Sequence, residues 1–192
     1  MANRSLITIT VCMLLFLLPI SCINVPSPTL PTVNQITMLT YTNSTYGITI
    51  QYPQDWRKVE PSDEPGLHIA FVLPKESDSG MRDDVQIIVL NMSVPETLDV
   101  FTQNLIQGEE QSRHDFKLID STPTTLAGNP AHKIVFTSKD VQYDMKSMYV
   151  YTIKNNNLYM VIYSAQSYRY SDSMEIVQQM IDSFEIIPGA SQ

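Results

Sequence analysis

The chain has 192 residues, 43% of them hydrophobic, and a formal net charge of −8. That length allows one domain with a real core behind an N-terminal leader. Apart from Arg57-Lys58 the basic residues are scattered singly, which argues against a nucleic-acid partner, because phosphate contacts need clustered Lys and Arg.

Both cysteines, Cys12 and Cys22, lie in the first 22 residues, so the folded part has no disulfide framework, thiol nucleophile or Cys-ligated zinc. Residues 1–22, MANRSLITITVCMLLFLLPISC, put one arginine ahead of an apolar run from Leu6 to Ile20. The run has the length of a signal-peptide core and is short for a membrane span. Its end, LLPISC, resembles the lipobox of bacterial and archaeal lipoproteins. Ser21 takes the small position, Cys22 the lipid-modified one, and Pro19 stands where leucine is usual. The expectation is export across the cytoplasmic membrane with lipid attachment at Cys22 on the outer face. Ordinary cleavage nearby and an uncleaved anchor are the competing readings. Residues 23–39 carry prolines, small hydroxyl residues and no charge, the composition of a semi-extended linker. At about 3.1 Å per residue it could hold a domain roughly 50 Å from a membrane. The folded domain is expected over 40–188, with a tail at 189–192.

LTYTNSTYGITIQYP reads as strand, turn, strand, with Asn43, Ser44 and Gly47 as turn formers. Ile48, Ile50 and Tyr52 alternate with Thr49 and Gln51, the period of a half-buried strand. Pro53 ends it, having no N–H for the ladder, and Trp56 folds back onto the sheet. Residues 66–74 form another apolar strand, 75–84 a polar loop, and 85–92 a strongly apolar strand. The period then lengthens: Leu98, Phe101 and Leu105 share a helical face. Ser93 and Glu96 have capping-box spacing, with Pro95 in the first turn. Two strands follow around a turn at Gly128-Asn129-Pro130. Then comes a strand with Tyr143, Met145, Tyr149, Tyr151 and Ile153 on one face, a hairpin turn at 155–157, and a strand apolar on both faces, suited to the sheet centre. SDSMEIVQQMIDSFEII is a closing helix, with Met174, Val177, Met180, Ile181 and Phe184 on one face and Asp172 and Glu175 as its cap. The class is α+β, with a mainly antiparallel sheet of six to seven strands and two long helices.

This order of elements resembles the PsbP-like superfamily, α/β/α sandwich domains related to an extrinsic subunit of photosystem II. The resemblance covers roughly 40–187. It rests on the Tyr46-Gly47 strand ending in Tyr52-Pro53 with Trp56 after it, the Gly128 to His132 turn, Leu158-Tyr159 opening the penultimate element, and Ile181 to Phe184. It implies structural roles for Tyr52, Pro53, Trp56 and Gly128. It also implies a non-enzymatic role, docking on or stabilising a membrane protein complex or envelope partner. The photosynthetic members help retain calcium and chloride. Lipoprotein-style export implies a prokaryotic relative.

Few residues suggest chemistry. Glu110 and His114 are four apart near the first helix's end, beside Glu109 and Asp115, and on a continuing helix could hold a divalent cation. Asp83 and Asp84, with Asp78 in the same loop, offer oxygen ligands for calcium without the Asp-x-Asp-x-Asp-Gly pattern. A solvated helix end and an ordinary acidic loop compete with these readings. His68 and His132 read as hydrogen-bonded strand histidines, and the tyrosines of 143–170 as core and sheet surface. Asn43 and Asn91 open glycosylation sequons. No Gly-x-Ser-x-Gly elbow, Gly-rich phosphate loop or His-Glu-x-x-His is present, which weighs against a hydrolase. A small-ligand or calcium-binding module is the alternative to docking.

Overall fold

The computed structural model describes residues 36–60, 66–76 and 82–187. Cys22, the leader, all but the last four linker residues, Asp78 and the tail lie outside them. The elements run β1 (Met38–Asn43), β2 (Ile48–Pro53), β3 (Arg57–Val59), β4 (Leu67–Glu76), β5 (Arg82–Asn91), α1 (Leu98–Ser112), β6 (His114–Leu126), β7 (Asn129–Asp140), β8 (Tyr143–Lys154), β9 (Asn157–Gln166), α2 (Met174–Asp182) and β10 (Glu185–Ile186).

Seven strands form one sheet in the order β3-β4-β5-β9-β8-β7-β6, and three form a smaller one in the order β1-β2-β10. Every pairing is antiparallel. β9 holds the middle of the large sheet, which explains apolar residues on both its faces: Tyr159, Val161 and Tyr163 on one, Leu158, Met160 and Ile162 on the other. Tight turns set the registers. Ala127 and Gly128 have φ of 49° and 71°, and Asn155 and Asn156 have 51° and 62°, the left-handed pairs that suit the twist of a two-residue hairpin. The first turn is thus Ala127-Gly128, and Asn129-Pro130 already belong to β7.

Each face of the large sheet has its own core. On one side Ile69, Phe71, Val85, Ile87, Val161 and Tyr163 meet Ile48 and Ile50 of the small sheet and Val177, Met180 and Phe184 at α2. On the other, Ile134, Phe136, Tyr149, Tyr151, Met160 and Ile162 meet Leu98, Phe101, Leu105 and Ile106 of α1. This is an α/β/α sandwich in which α1 has 15 residues and α2 nine.

The opening motif is structural. Pro53 is buried at the end of β2 and its carbonyl accepts from the Trp56 N–H at 3.0 Å. Trp56 is buried in the α2-side core, and the Tyr52 ring packs 4.5 Å from Phe71. Gly66, at φ 85°, lies so close to β5 that a Cβ there would meet the Val89 carbonyl oxygen at 2.4 Å.

Several boundaries differ from the sequence reading. α1 is capped by Thr97, whose Oγ1 accepts from the Val100 N–H at 3.3 Å, so Ser93 and Pro95 stand outside the helix. The closing segment is helical only to Asp182: Glu185 and Ile186 pair with Thr49 and Ile48 of β2. The predicted polar loop shortens, because β4 runs through Glu76 and β5 starts at Arg82.

Candidate functional site

α1 lies over β6 and β7 and reaches across to β8. Tyr151 donates its hydroxyl to Thr102 Oγ1 at 2.9 Å, and Thr102 donates to the Leu98 carbonyl at 2.8 Å. The Phe101 ring meets Tyr151 edge-on at 5.3 Å. These contacts fix one wall of a groove of about 360 Å³, lined by Met92, Glu96, Phe101, Asn104, Leu105, Gly108 and Glu109. Ile88 and Leu90 of β5 stay half-buried on the same sheet face.

A polar cluster closes one end. Arg113, the C-cap of α1, pairs through Nε with Glu109 Oε2 and donates from Nη2 to the Tyr149 hydroxyl at 3.0 Å. Tyr149 donates to Glu109 Oε1 at 3.1 Å, completing a triangle, and the guanidinium lies 5.4 Å from the Phe136 ring centre. Burial, with the Glu109 carboxylate beside it, pushes the Tyr149 hydroxyl up to about 12, so it stays protonated at neutral pH. The cluster positions the end of α1 on β8 and keeps its own charges satisfied.

Across β8, β9, β5 and β4 the same face carries a polar row. Gln86 Nε2 donates to Asp84 Oδ2 at 3.0 Å, and the Gln86 carbonyl oxygen lies 2.9 Å from His68 Nε2. Ser147 and Ser164 hydroxyls meet at 2.9 Å across β8 and β9. Burial pushes the Asp84 carboxyl up to about 6.

The candidate cation ligands are not brought together. Glu110 is in α1, but the chain is extended at Arg113, so His114 belongs to β6 and shares no helical face with it. Asp83 and Asp84 are consecutive strand residues and point to opposite faces, so they cannot grip one ion. Asp83 is buried on the α2 side, 3.1 Å from Arg169 Nη2. Among the described residues no three His, Cys, Asp or Glu side chains group as a metal site. His132 Nε2 lies 2.9 Å from Ser121 Oγ. Of the late tyrosines, 149, 151, 159, 163 and 170 are buried and Tyr168 is exposed. Asn43 accepts the Tyr46 N–H at 3.1 Å and Asn91 donates to Asn157 Oδ1 at 3.1 Å.

Sequence reasoning missed the groove, the Glu109–Arg113–Tyr149 triangle and the Asp83–Arg169 pair. The signal available was a pair of isolated arginines, one directly after a helix and one in the Tyr-rich segment before the last helix.

Two helical layers about an antiparallel seven-stranded sheet, with an open groove beside the first helix, define an α/β/α sandwich. The chain belongs to the PsbP-like protein family, whose model matches residues 24–186. No curated protein matches it. Among solved structures, cyanobacterial PsbP from Synechocystis sp. PCC 6803 is similar at 14% identity and a TM-score of 0.61, over 84% of this chain and 99% of that one. LpqN, involved in cell envelope biogenesis of Mycobacterium tuberculosis, follows at 15% identity and 0.59, over 81% and 93%. The Ran-binding protein Mog1p of Saccharomyces cerevisiae has 8% identity and 0.55, over 79% and 96%. At these identities the likeness is one of fold.

Proposed function

We propose that the protein is a membrane-tethered extracytoplasmic docking module that performs no chemistry of its own. The leader exports it, lipid on Cys22 holds it at the outer face of the cytoplasmic membrane, and the linker lets the PsbP-like domain reach a membrane protein complex or envelope partner. The observation that carries this reading is the combination in one chain of a PsbP-like domain and a leader ending in LLPISC. A tether raises local concentration, which suits weak docking. The fold shared with a cyanobacterial PsbP and with an envelope-biogenesis protein supports it. Native mass spectrometry of the protein extracted from its host's membranes in mild detergent tests it. A chain beginning at acylated Cys22 and co-purifying with a membrane complex is the expected result. A released domain with no membrane-associated partner sinks the idea.

The groove supports a second reading, a small-ligand module, since its size falls in the range of small-molecule sites. A lone domain carrying a stoichiometric small molecule in the same measurement would decide for it.

A further inference from the structure

Among the described residues the α1 side of the large sheet is only partly covered. Seven strands about 4.8 Å apart span roughly 30 Å, whereas a helix with its side chains covers about 10–12 Å. Among the described residues α1 is the one helix on that face, because α2 packs on the other. α1 sits toward β6, β7 and β8, and the apolar strip Ile88, Leu90 and Met92 continues beyond its flank.

Gly108 adds a second observation. It sits inside α1, where glycine weakens a helix, and it lines the groove. Its backbone is not left-handed, and a Cβ there would meet nothing within 4 Å. Neither backbone geometry nor internal packing needs glycine at this position. Without a side chain there, the α1 backbone stays open to close approach from outside. Asn104, one turn earlier, presents an exposed amide on the same wall. Charge supplies the third. Glu96, at the groove, makes no ion pair among the described residues, α1 itself holds Asp99, Glu109 and Glu110 with no Lys or Arg, and the whole chain is at −8.

We propose that this groove docks an amphipathic helix of a partner protein, apolar along one stripe and carrying Lys or Arg beside it. The inference rests on the docking reading above and names its surface. The partner helix lies alongside α1 over β5 and completes the layer. Its apolar stripe meets Met92, Phe101 and Leu105, its backbone comes closest at Gly108, and its cation faces Glu96.

The test uses the full chain and two synthetic helical peptides with leucines at i, i+3, i+4 and i+7. One has Lys on the remaining positions and the other has Glu. NMR shifts report binding. The Leu/Lys peptide is expected to give saturable shifts at Phe101, Asn104, Leu105 and Gly108, and the Leu/Glu peptide to bind at least tenfold more weakly. Gly108→Leu is expected to lower affinity for the Leu/Lys peptide at least tenfold, with an unchanged or raised melting temperature, because there is room for the side chain and leucine favours helix. No binding, equal binding of both peptides, or undiminished binding by Gly108→Leu overturns the proposal. Self-association of the chain that Gly108→Leu abolishes also overturns it, assigning the groove to a second copy. In host membranes, wild type and Gly108→Leu co-purifying equally with a complex overturns the groove and leaves docking intact. If neither co-purifies, the docking reading itself fails and takes this inference with it.

Discussion

Asp83 and Asp84 are neighbours in sequence with opposite surroundings, because a strand sends successive side chains to opposite faces. Asp83 enters the α2-side core, where burial raises its carboxyl and the Arg169 guanidinium at 3.1 Å pulls the other way. Removing one partner of a buried pair takes away charge that offsets the other's burial, which costs more than the pair itself contributes. Asp83→Ala is therefore expected to lower unfolding stability by about 3 kcal/mol in a urea titration. A loss below about 1 kcal/mol, the scale of an exposed pair, would show that Asp83 does not hold Arg169 in place. Asp84 carries the opposite prediction. Burial lifts its carboxyl from an ordinary 3.8 to about 6, with the Gln86 amide opposing and Asp83 adding to the rise. A raised folded value means that the folded chain holds the extra proton between those two pH values. This group's contribution is thus greatest below pH 3.8 and is lost as pH rises through 6. Asp84→Asn keeps the acceptor for Gln86 Nε2 and removes the charge. At pH 7 it is expected to be more stable than wild type by about 2 kcal/mol, with the advantage vanishing toward pH 4. Equal stability at pH 7 would mean that the carboxylate is fully solvated. The two acids were legible as acids in the sequence. Their faces were not, because the polar run from 75 to 84 hides the start of β5, and a strand's register decides which side each residue sees.

At the scale of elements, periodicity exposed most of the fold: the alternation in β2, the two-sided apolar β9 between antiparallel neighbours, and the 3–4 spacing of Leu98, Phe101 and Leu105. Ends were harder to read, since several residues near each end carry cap chemistry. Ser93 with Glu96 matched a capping box, but Thr97 lies directly before the first helical turn and supplies the cap. Thr97→Ala is expected to destabilise the protein by about 1 kcal/mol, while Ser93→Ala is expected to be neutral. Thermal melts of the two variants check this, and equal losses would return the cap to Ser93. The other end of α1 shows why the Glu110–His114 pairing fails. Arg113 leaves the helix to reach Tyr149 and Glu109, and the chain turns at once into β6. An isolated arginine directly after the helix hints at a contact, but nothing local says that it reaches residue 149. The same holds for β10, two residues long, which exists only because β2 offers a free edge beside it.

Across the whole molecule, the last described segment closes what the first begins. β1 pairs with one edge of β2 and β10 with the other, so both ends of the domain meet in the small sheet. Ser183 ties this corner further: its hydroxyl accepts the Gln51 N–H at 2.9 Å and donates to the Met180 carbonyl at 2.7 Å. Phe184 follows, 1% exposed, in the core shared by α2, the small sheet and the large sheet. The opposite core beneath α1 is separate, so damage at Phe184 should spread through one layer before the other. Phe184→Ala removes a large buried ring at a junction of three elements, where the neighbours cannot all close in. The expected cost is about 3–5 kcal/mol. For a domain of this size that lowers the melting temperature by roughly 6–20 °C. Hydrogen exchange locates the effect. Amides of β1, β2 and β10 are expected to exchange faster in the variant than in wild type, while those of β8 and β9, paired on both sides, stay slowest. Uniform acceleration of every strand would instead mean that the small sheet and the seven-stranded sheet open as one unit, with Phe184 contributing to global stability and not to the closure of this corner.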